Sequence, residues 1–246
     1  MSVEAPGGAP AGPRDAPGAG APEDGSLVTR LAASVSHELR NPLAVILARV
    51  QLLQLGLRVG KPVDSDKLVY TLSAIEEQAL RASRIVDNLS SFARPRPPQL
   101  GPVDLAELVQ HVLSALQGRL QSSGVSVEVE VGPDVPTVTA DRLQIQTALA
   151  QVLHNAIDAM PEGGRVRIGV RRSPNGVEVS VADGGPGVPR EDAARIFEAF
   201  VSTRRGAAGL GLCIAQTIAA AHGGAVRLVE AGVPGAEFVL SLPAGS

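Results

Sequence analysis

Residues Leu39–Leu57 read LRNPLAVILARVQLLQLGL. Apolar side chains recur in this stretch at alternating intervals of four and three residues, which is the spacing of a coiled-coil seam along one side of a helix. The positions that share this spacing are Leu39, Leu43, Ile46, Val50, Leu53 and Leu57. The pattern therefore predicts a long helix whose apolar side needs a partner.

A second helix with the same rhythm follows a short break. Residues 56–66, GLRVGKPVDSD, contain glycine, proline and an Asp/Ser N-cap signal, so one helix is expected to end there and another to begin. The apolar positions of the second helix are Leu68, Leu72, Ile75, Ala79, Ala82, Val86, Leu89 and Ala93. Two narrow seams cannot bury themselves in one isolated hairpin, so we expect a homodimer in which two hairpins form a four-helix bundle. Packing of the hairpin on the chain's own second domain is the alternative.

The composition of the 246-residue chain excludes several classes of function. A net charge of −3 and an aromatic content of 2% argue against a non-specific nucleic-acid binder, which needs a basic face or a base-stacking platform. The single cysteine, Cys213, excludes an internal disulfide framework and fits a reducing compartment. No segment approaches the roughly 20 consecutive apolar residues of a membrane span. Residues 1–25 are mostly Ala, Gly and Pro and lack the regions of a secretory signal, so we expect a disordered tail on a cytoplasmic protein.

A proline-rich segment divides the rest of the chain into two domains. Residues 95–103, PRPPQLGPV, are typical of a linker, which leaves a helical domain at 26–94 and a second domain at 104–246. In the second domain we predict helices at about 104–121, 141–160, 190–197 and 209–221, and strands from Val125 and at 165–171, 176–183, 225–230 and 236–242. Helices on one face of a mixed, largely antiparallel sheet form an α/β sandwich.

Two segments of the second domain carry polar groups suited to a nucleotide. In HNAIDAMPEGG (154–164), Asn155 and Asp158 share one helix face, and an asparagine oxygen is a hard ligand that suits Mg²⁺. In DGGPGVP (183–189), a carboxylate at a strand end can accept from an amino group such as adenine N6, and the glycines let the backbone approach a flat ligand. A solvated helix face and an ordinary Gly/Pro turn are the alternatives.

A third segment, GAAGLGLCIAQTIAAAHGG (206–224), runs from a glycine-rich loop into a helix. The free N–H groups and the dipole at a helix N-terminus favour phosphate. The loop lacks the Lys-Ser/Thr pair of a Walker A motif, so alone it indicates a phosphate site only weakly.

In this order the segments resemble the sequence boxes of bacterial sensor histidine kinases, over about Leu27 to the C-terminus. SVSHELRNPL resembles the phosphoacceptor box and QVLHNAIDAM the N box. VADGGPGVP, IFEAFVSTR and GLGLCIAQTIAAAHGG resemble the first glycine box, the F box and the second glycine box. NAIDAMPEGG and FARPRPPQL are similar to the nitrogen-regulation type. The resemblance implies a dimeric helical-hairpin domain followed by an ATP-binding domain of the GHKL (Bergerat) type.

For the hairpin, the resemblance implies an ATP-dependent autokinase whose phosphoacceptor is His37. A neutral ring nitrogen would attack the γ-phosphate, while Glu38 orients the ring and takes its proton and Arg40 steadies the phosphoryl charge. The phosphoryl group would then pass to an Asp of a response-regulator receiver domain. Asn41 lies one turn after His37, where relatives can orient a water that dephosphorylates the regulator. Pro42 is expected to kink the helix beside His37.

For the second domain, the resemblance implies ATP and Mg²⁺ as cofactors. Asn155 would contact Mg²⁺ and the phosphates, and Asp183 would recognise adenine. The other residues implied to bind the nucleotide are Asp158, Gly185, Gly187, Thr203, Arg204, Gly209, Leu210 and Gly211. His154 and His222 are expected on helix surfaces, because their spacing is not that of a metal site.

Three positions depart from the family pattern. Gln151 stands where relatives carry a first asparagine of the N box, and Ala207 and Ala208 stand where a Gly and a Thr are common. These changes leave open a phosphotransfer or binding module with a degenerate ATP lid. A GHKL ATPase of the chaperone or repair type is a third candidate, but it has no use for SHELRNPL. Because only a short tail precedes the phosphoacceptor helix, we expect the signal to arrive through the tail or a separate sensor protein, if it arrives at all.

Overall fold

A computed structural model of the chain describes residues 23–59, 64–93, 97–202 and 209–245. Its first part is a hairpin of two helices, α1 (Glu23–Arg58) and α2 (Ser65–Ala93). The helices run antiparallel, and the Arg49 guanidinium lies over the Tyr70 ring, 5.7 Å from its centroid. The predicted tail at 1–25 lies outside the described residues except for its last three, which begin α1.

Only some residues of the predicted apolar seam are covered in the hairpin. Ile46, Val50 and Leu53 are partly buried, whereas Leu43 and Leu57 are 55% and 64% exposed. Large apolar side chains that stay exposed in and beside the two helices are Leu43, Val45, Leu47, Leu52, Leu55, Leu57, Val59, Val69, Tyr70, Leu72, Leu80 and Val86. One side of the hairpin therefore packs α1 on α2, and a second apolar side remains uncovered within the chain.

The remainder of the chain is an α/β sandwich, as predicted. Its elements are β1 (Gly101–Val103), α3 (Leu105–Ser122), β2 (Val125–Val131), β3 (Val138–Ala140), α4 (Arg142–Asp158), β4 (Gly164–Ser173), β5 (Gly176–Asp183), α5 (Gly211–Ala221), β6 (Ala225–Leu228) and β7 (Ala236–Pro243). The main sheet has the order β2-β4-β5-β7-β6, in which β2 and β4 are parallel and the other pairs antiparallel. β1 and β3 form a separate antiparallel pair.

The core lies between the helices and one face of the main sheet. Along β5, Val177, Val179 and Val181 are buried and alternate with partly exposed residues, which is the pattern of a strand that buries one face. Leu149 and Leu153 of α4 pack in the same cluster. This packing fixes α4 against the sheet and so positions the polar residues at its C-terminal end.

Two local features differ from the prediction. Residues 101–103, predicted as the end of the linker, pair with β3. The short helix predicted at 190–197 is wrong, because this segment forms successive turns. Its backbone bonds from Asp192 N–H to the Pro189 carbonyl and from Arg195 N–H to the Asp192 carbonyl span three residues. Only the bond from Ile196 N–H to the Asp192 carbonyl spans four, so no helical ladder continues through the segment.

Asp141 caps α4 and ties two other segments to it. Its carboxylate accepts from the N–H groups of Leu143 and Gln144 at 3.0 and 3.1 Å, and from Gln99 N–H at 2.8 Å. Its own N–H donates to His222 Nε2 at 3.0 Å. Burial raises the pKa of Asp141, but the three backbone donors and His222 outweigh it and hold that pKa below the ordinary value.

We expect Asp141→Ala to lower the free energy of unfolding of the α/β domain by about 1–2 kcal/mol, because it removes the N-cap and the anchor of residue 99. Urea unfolding followed by circular dichroism measures this change. Glu130→Ala is the control, because Glu130 is exposed on β2 and its loss should change stability by less than about 0.5 kcal/mol. Equal stability of the two variants would contradict the role of Asp141.

Candidate nucleotide and phosphoacceptor sites

The phosphoacceptor box lies within α1, which runs through Pro42 as one helix. The backbone of His37 belongs to this helix, and its side chain lies outside the described part of the structure. Glu38 is 7% exposed and Pro42 is buried one turn later, so both lie on the side of α1 that packs on α2. Arg40 and Asn41 are exposed. The box therefore places a buried acid next to His37 and two polar side chains in solvent.

The buried acid has an unusual protonation equilibrium. Burial raises the pKa of Glu38 from 4.5 to about 7, and the positive charge of Arg81 on α2 opposes that rise. A carboxyl group with a pKa near neutral can both accept and release a proton under cellular conditions. Glu38 is thus suited to take the proton of a neighbouring imidazole.

The first glycine loop forms a turn at the end of β5, against the C-terminal end of α4. Asp183, the last residue of β5, is 8% exposed, and its Oδ1 accepts from Gly185 N–H at 2.9 Å. A Cβ on Gly185 would lie 2.8 Å from the Ala159 Cβ, so only glycine allows this contact. The contact brings the Asp183 carboxylate to the end of the helix that carries Asn155.

The loop between β6 and β7 holds the rest of the glycine turn. Gly187 has a φ of 81°, and a Cβ there would collide with the Val233 carbonyl oxygen. Gly235 N–H donates to the Gly185 carbonyl at 2.8 Å. The turn is therefore braced on two sides, by α4 and by the β6–β7 loop.

The second glycine segment begins α5. Gly209 has a φ of 63°, and its carbonyl accepts from Phe200 N–H at 3.0 Å. Leu210 precedes the helix, and its side chain accepts no hydrogen bond from the first N–H groups of α5. Its own side chain is 1% exposed and packs inside, which leaves only its backbone for a nucleotide. Gly211 adjoins α4, because a Cβ there would lie 3.0 Å from Gln151 Oε1.

These residues fit an adenine nucleotide with a magnesium ion. The buried Asp183 carboxylate, the half-buried Asn155 amide and the uncapped start of α5 supply an acceptor, a hard oxygen ligand and phosphate donors. Among the described residues, no three His, Cys, Asp or Glu side chains are grouped closely enough to hold a metal ion. An asparagine oxygen supplies a single ligand, so Mg²⁺ beside Asn155 would need phosphate and water oxygens to complete its coordination. Thr203 and Arg204, with Ala207 and Ala208, lie outside the described residues.

Asp158 makes a contact that the sequence did not predict. Its carboxylate forms a salt bridge with Arg119 of α3, and Arg119 Nη1 lies 2.6 Å from His154 Nδ1. Burial, with the charges of Arg119 and Arg84, lowers the pKa of His154 to about 3, so this imidazole is neutral. Since Arg119 can only donate, Nδ1 is the acceptor and Nε2 carries the hydrogen.

His222 is buried, not exposed as predicted. It is 7% exposed, its Nε2 accepts from Asp141 N–H, and its Nδ1 lies 2.8 Å from the Ile218 carbonyl oxygen. No local pattern at residue 222 reveals a partner 81 residues earlier in the chain. His222 therefore joins the end of α5 to the start of α4.

Comparison with known proteins assigns the two parts of the chain to two family models. Residues 27–98 match the His Kinase A (phospho-acceptor) domain, and residues 140–246 match the histidine kinase-, DNA gyrase B-, and HSP90-like ATPase. The sensor histidine kinase TmoS of Ectopseudomonas mendocina is 31% identical over 86% of this chain and 22% of its own length. The chain belongs to the two-component sensor histidine kinases.

Solved structures agree with this assignment. The full-length histidine kinase ShkA in complex with AMPPNP is 32% identical, with a TM-score of 0.61 over 89% of this chain and 46% of that one. The histidine kinase ThkA in complex with the response regulator protein TrrA is 26% identical, with a TM-score of 0.68 over 90% and 63% of the two chains. These comparisons do not separate the nitrogen-regulation type from other types, so that part of the resemblance stays a prediction.

The chain spans 22–36% of the length of the first curated relatives that it matches. No helix among the residues the structure describes has the length and apolar character needed to cross a membrane.

The raised pKa of Glu38 predicts how stability depends on pH. A carboxyl group whose pKa rises on folding favours the folded state below its unfolded pKa of 4.5, and this contribution is lost as pH rises toward about 7. Glu38→Gln stays neutral, so we expect it to be more stable than the wild type at about pH 8, with the difference shrinking toward about pH 5. Urea unfolding across this range measures the difference. Glu76→Gln, a change at an exposed residue of α2, should show no such dependence on pH. If the difference between Glu38→Gln and the wild type did not change with pH, the raised pKa of Glu38 would be wrong.

Proposed function

We propose that this chain is an ATP-dependent protein-histidine autokinase, with its phosphoacceptor domain at residues 26–94 and its ATP-binding domain at residues 101–246, which includes β1. The observation that carries the proposal is the buried Glu38, with its pKa near 7, directly next to His37 on a chain that also holds a nucleotide site. A proton acceptor in this position suits a nucleophile that must lose a proton as it reacts.

Each step of the reaction is assigned to a residue. The neutral ring of His37 attacks the γ-phosphorus through a ring nitrogen, and Glu38 accepts the proton that this ring releases. Asp183 accepts from the adenine amino group, while Asn155 holds Mg²⁺ beside the phosphates. Bound ATP supplies the phosphoryl group, and His37 retains it as a phosphoramidate. The glycines at 185, 187, 209 and 211 allow the close backbone packing that forms the walls of the site.

We further propose that phospho-His37 passes its phosphoryl group to an Asp of a response-regulator receiver domain. The ThkA structure, which holds a response regulator, supports this partner. Asn41 is exposed one turn from His37, where it can meet a docked regulator. This position supports a second activity, in which Asn41 orients a water that dephosphorylates the regulator.

The kinase is proposed to act as a homodimer in the cytoplasm. Exposed leucines and valines on both helices of the hairpin support a second copy as the partner that covers them. The single cysteine supports a reducing compartment.

The decisive experiment is incubation of the full chain with γ-labelled ATP and Mg²⁺. We expect acid-labile, alkali-stable label that disappears in His37→Gln and persists in His111→Gln, a matched change at an exposed histidine of α3. Phosphohistidine is the chemical species with this stability, so the pattern identifies the acceptor.

Two outcomes would reject the autokinase. Tight nucleotide binding without label in the wild type would favour the phosphotransfer or binding module with a degenerate lid. Steady ATP hydrolysis that His37→Gln does not change would favour a GHKL ATPase of the chaperone or repair type.

Asn155→Ala tests the magnesium assignment. We expect it to abolish labelling while light scattering still shows a dimer, because it removes the hard oxygen ligand at the phosphates and leaves the hairpin unchanged. Gln110→Ala, which removes an exposed amide from α3, should label like the wild type. Unchanged labelling of Asn155→Ala would remove Asn155 from the site.

A further inference from the structure

A cleft of about 320 Å³ separates the hairpin from the nucleotide domain. Arg84 and Asp87 of α2 line one side, and Gln146, Thr147, Gln151 and His154 of α4 line the other. Ala150 completes the lining, so six of the seven lining residues carry polar groups, and they come from both domains.

The phosphate end of the nucleotide site borders this cleft. Gln151 lines the cleft, and its Oε1 lies 3.0 Å from where a Cβ of Gly211 would stand at the start of α5. Asn155 follows Gln151 by one helical turn on the same side of α4. α5 itself also contacts α2. A triphosphate held by Asn155 and the start of α5 would therefore point its terminal phosphate toward α2.

Arg84 is the cation on the hairpin side of the cleft. Its side chain is partly buried, and it forms no salt bridge or hydrogen bond with any residue in the described ranges. The nearby Asp158 carboxylate is already bound to Arg119. Burial, with the charges of Arg119 and Arg81, lowers the pKa of Arg84 to about 10, and Asp158 and Glu77 oppose this only in part. The guanidinium stays charged at neutral pH and lacks a bound anion.

Arg84 also lies at the level of the phosphoacceptor. The charge of Arg81 acts on Glu38 across the hairpin. Because the helices are antiparallel and Arg49 lies over the Tyr70 ring, counting back along both helices places the backbone of His37 near the level of residue 82 on α2. Arg84 is two residues beyond that level, or about 3 Å along the helix axis at roughly 1.5 Å per residue.

We propose that Arg84 is a catalytic residue whose guanidinium contacts the non-bridging oxygens of the phosphoryl group as it passes from ATP to His37. This inference rests on the proposed autokinase function. A bond forms between a ring nitrogen of His37 and the γ-phosphorus, and the bond from that phosphorus to the bridging oxygen breaks, with its electron pair leaving on ADP. The ring proton goes to Glu38. Arg84 donates hydrogen bonds throughout and gives up no proton.

The role predicted for Arg40 stays a prediction beside this assignment. Arg40 is exposed on α1, where water competes for any phosphate that it meets. A partly buried arginine that contacts phosphoryl oxygens stabilises charge more effectively than an exposed one, because its donors are partly desolvated.

Single-turnover labelling of the full chain at saturating ATP tests the proposal. We expect Arg84→Gln to slow labelling of His37 by about 100-fold, the loss typical of one oriented donor at a transition state. The Kd for ATP should stay unchanged, because the ground-state nucleotide is held by the ATP-binding domain. Arg84→Lys should recover part of the rate, since lysine restores the charge but not the planar fork of donors. Lys67→Gln removes an exposed cation from the same helix and should label like the wild type.

Three results would overturn the assignment. Labelling of Arg84→Gln at the wild-type rate would show that the guanidinium does not contact the phosphoryl group. A slow rate explained by weaker ATP binding, or equal losses in Arg84→Lys and Arg84→Gln with reduced helical content, would make Arg84 a structural residue. A wild type that binds ATP without labelling His37 would reject the autokinase itself, and this outcome is distinguishable because it does not involve the variants.

Discussion

The orientation of α4 is the constraint on which the nucleotide site depends, and Asp141 sets it. One carboxylate caps the helix and binds the backbone of residue 99, and the N–H of the same residue binds His222 at the end of α5. The start of α4 is therefore joined both to residue 99, before the α/β domain, and to the end of α5. α4 extends for seventeen residues from this start to Asp158, and the glycine turn after β5 packs on Ala159 at its end. Movement at the cap would displace Asn155 and the contact between Gln151 and Gly211 together.

The same helix meets the hairpin at the cleft that Arg84 and Asp87 of α2 line. Arg119 takes the Asp158 carboxylate and fixes the tautomer of His154, so neither can neutralise Arg84. A cation that is partly buried without an anion costs stability, because its desolvation is not offset by pairing. A perturbed titratable group that lines a cleft is a candidate for a functional site. In the proposed function, the phosphates of ATP are the anions that would lie nearby.

Local sequence signals predicted the elements that depend on local chemistry. Asp104 and Asp141 marked the starts of α3 and α4, because an N-cap acts within three residues. Alternating valines and an Asn-Gly turn gave the bounds of β5. The pairing of β1 with β3 was missed, since Gly-Pro-Val has little strand preference and a distant partner decides its conformation. Asp183 and Asn155 were predicted as site residues from the family resemblance, and they still await a direct test. The sequence did not single out Arg84, because its significance comes from two domains meeting.

On the phosphoacceptor helix α1, the side that packs on α2 also controls the pKa of Glu38. Glu38 and Pro42 are buried one turn apart against α2, while Arg40 and Asn41 face solvent. Pro42 removes a hydrogen bond from the turn that includes Glu38, so bending is easiest there. Burial is the larger influence on the Glu38 pKa, and a bend that exposed the carboxyl would return its pKa toward 4.5. A carboxylate with that pKa is a weaker proton acceptor, so the packing of α1 on α2 sets how readily His37 can be deprotonated.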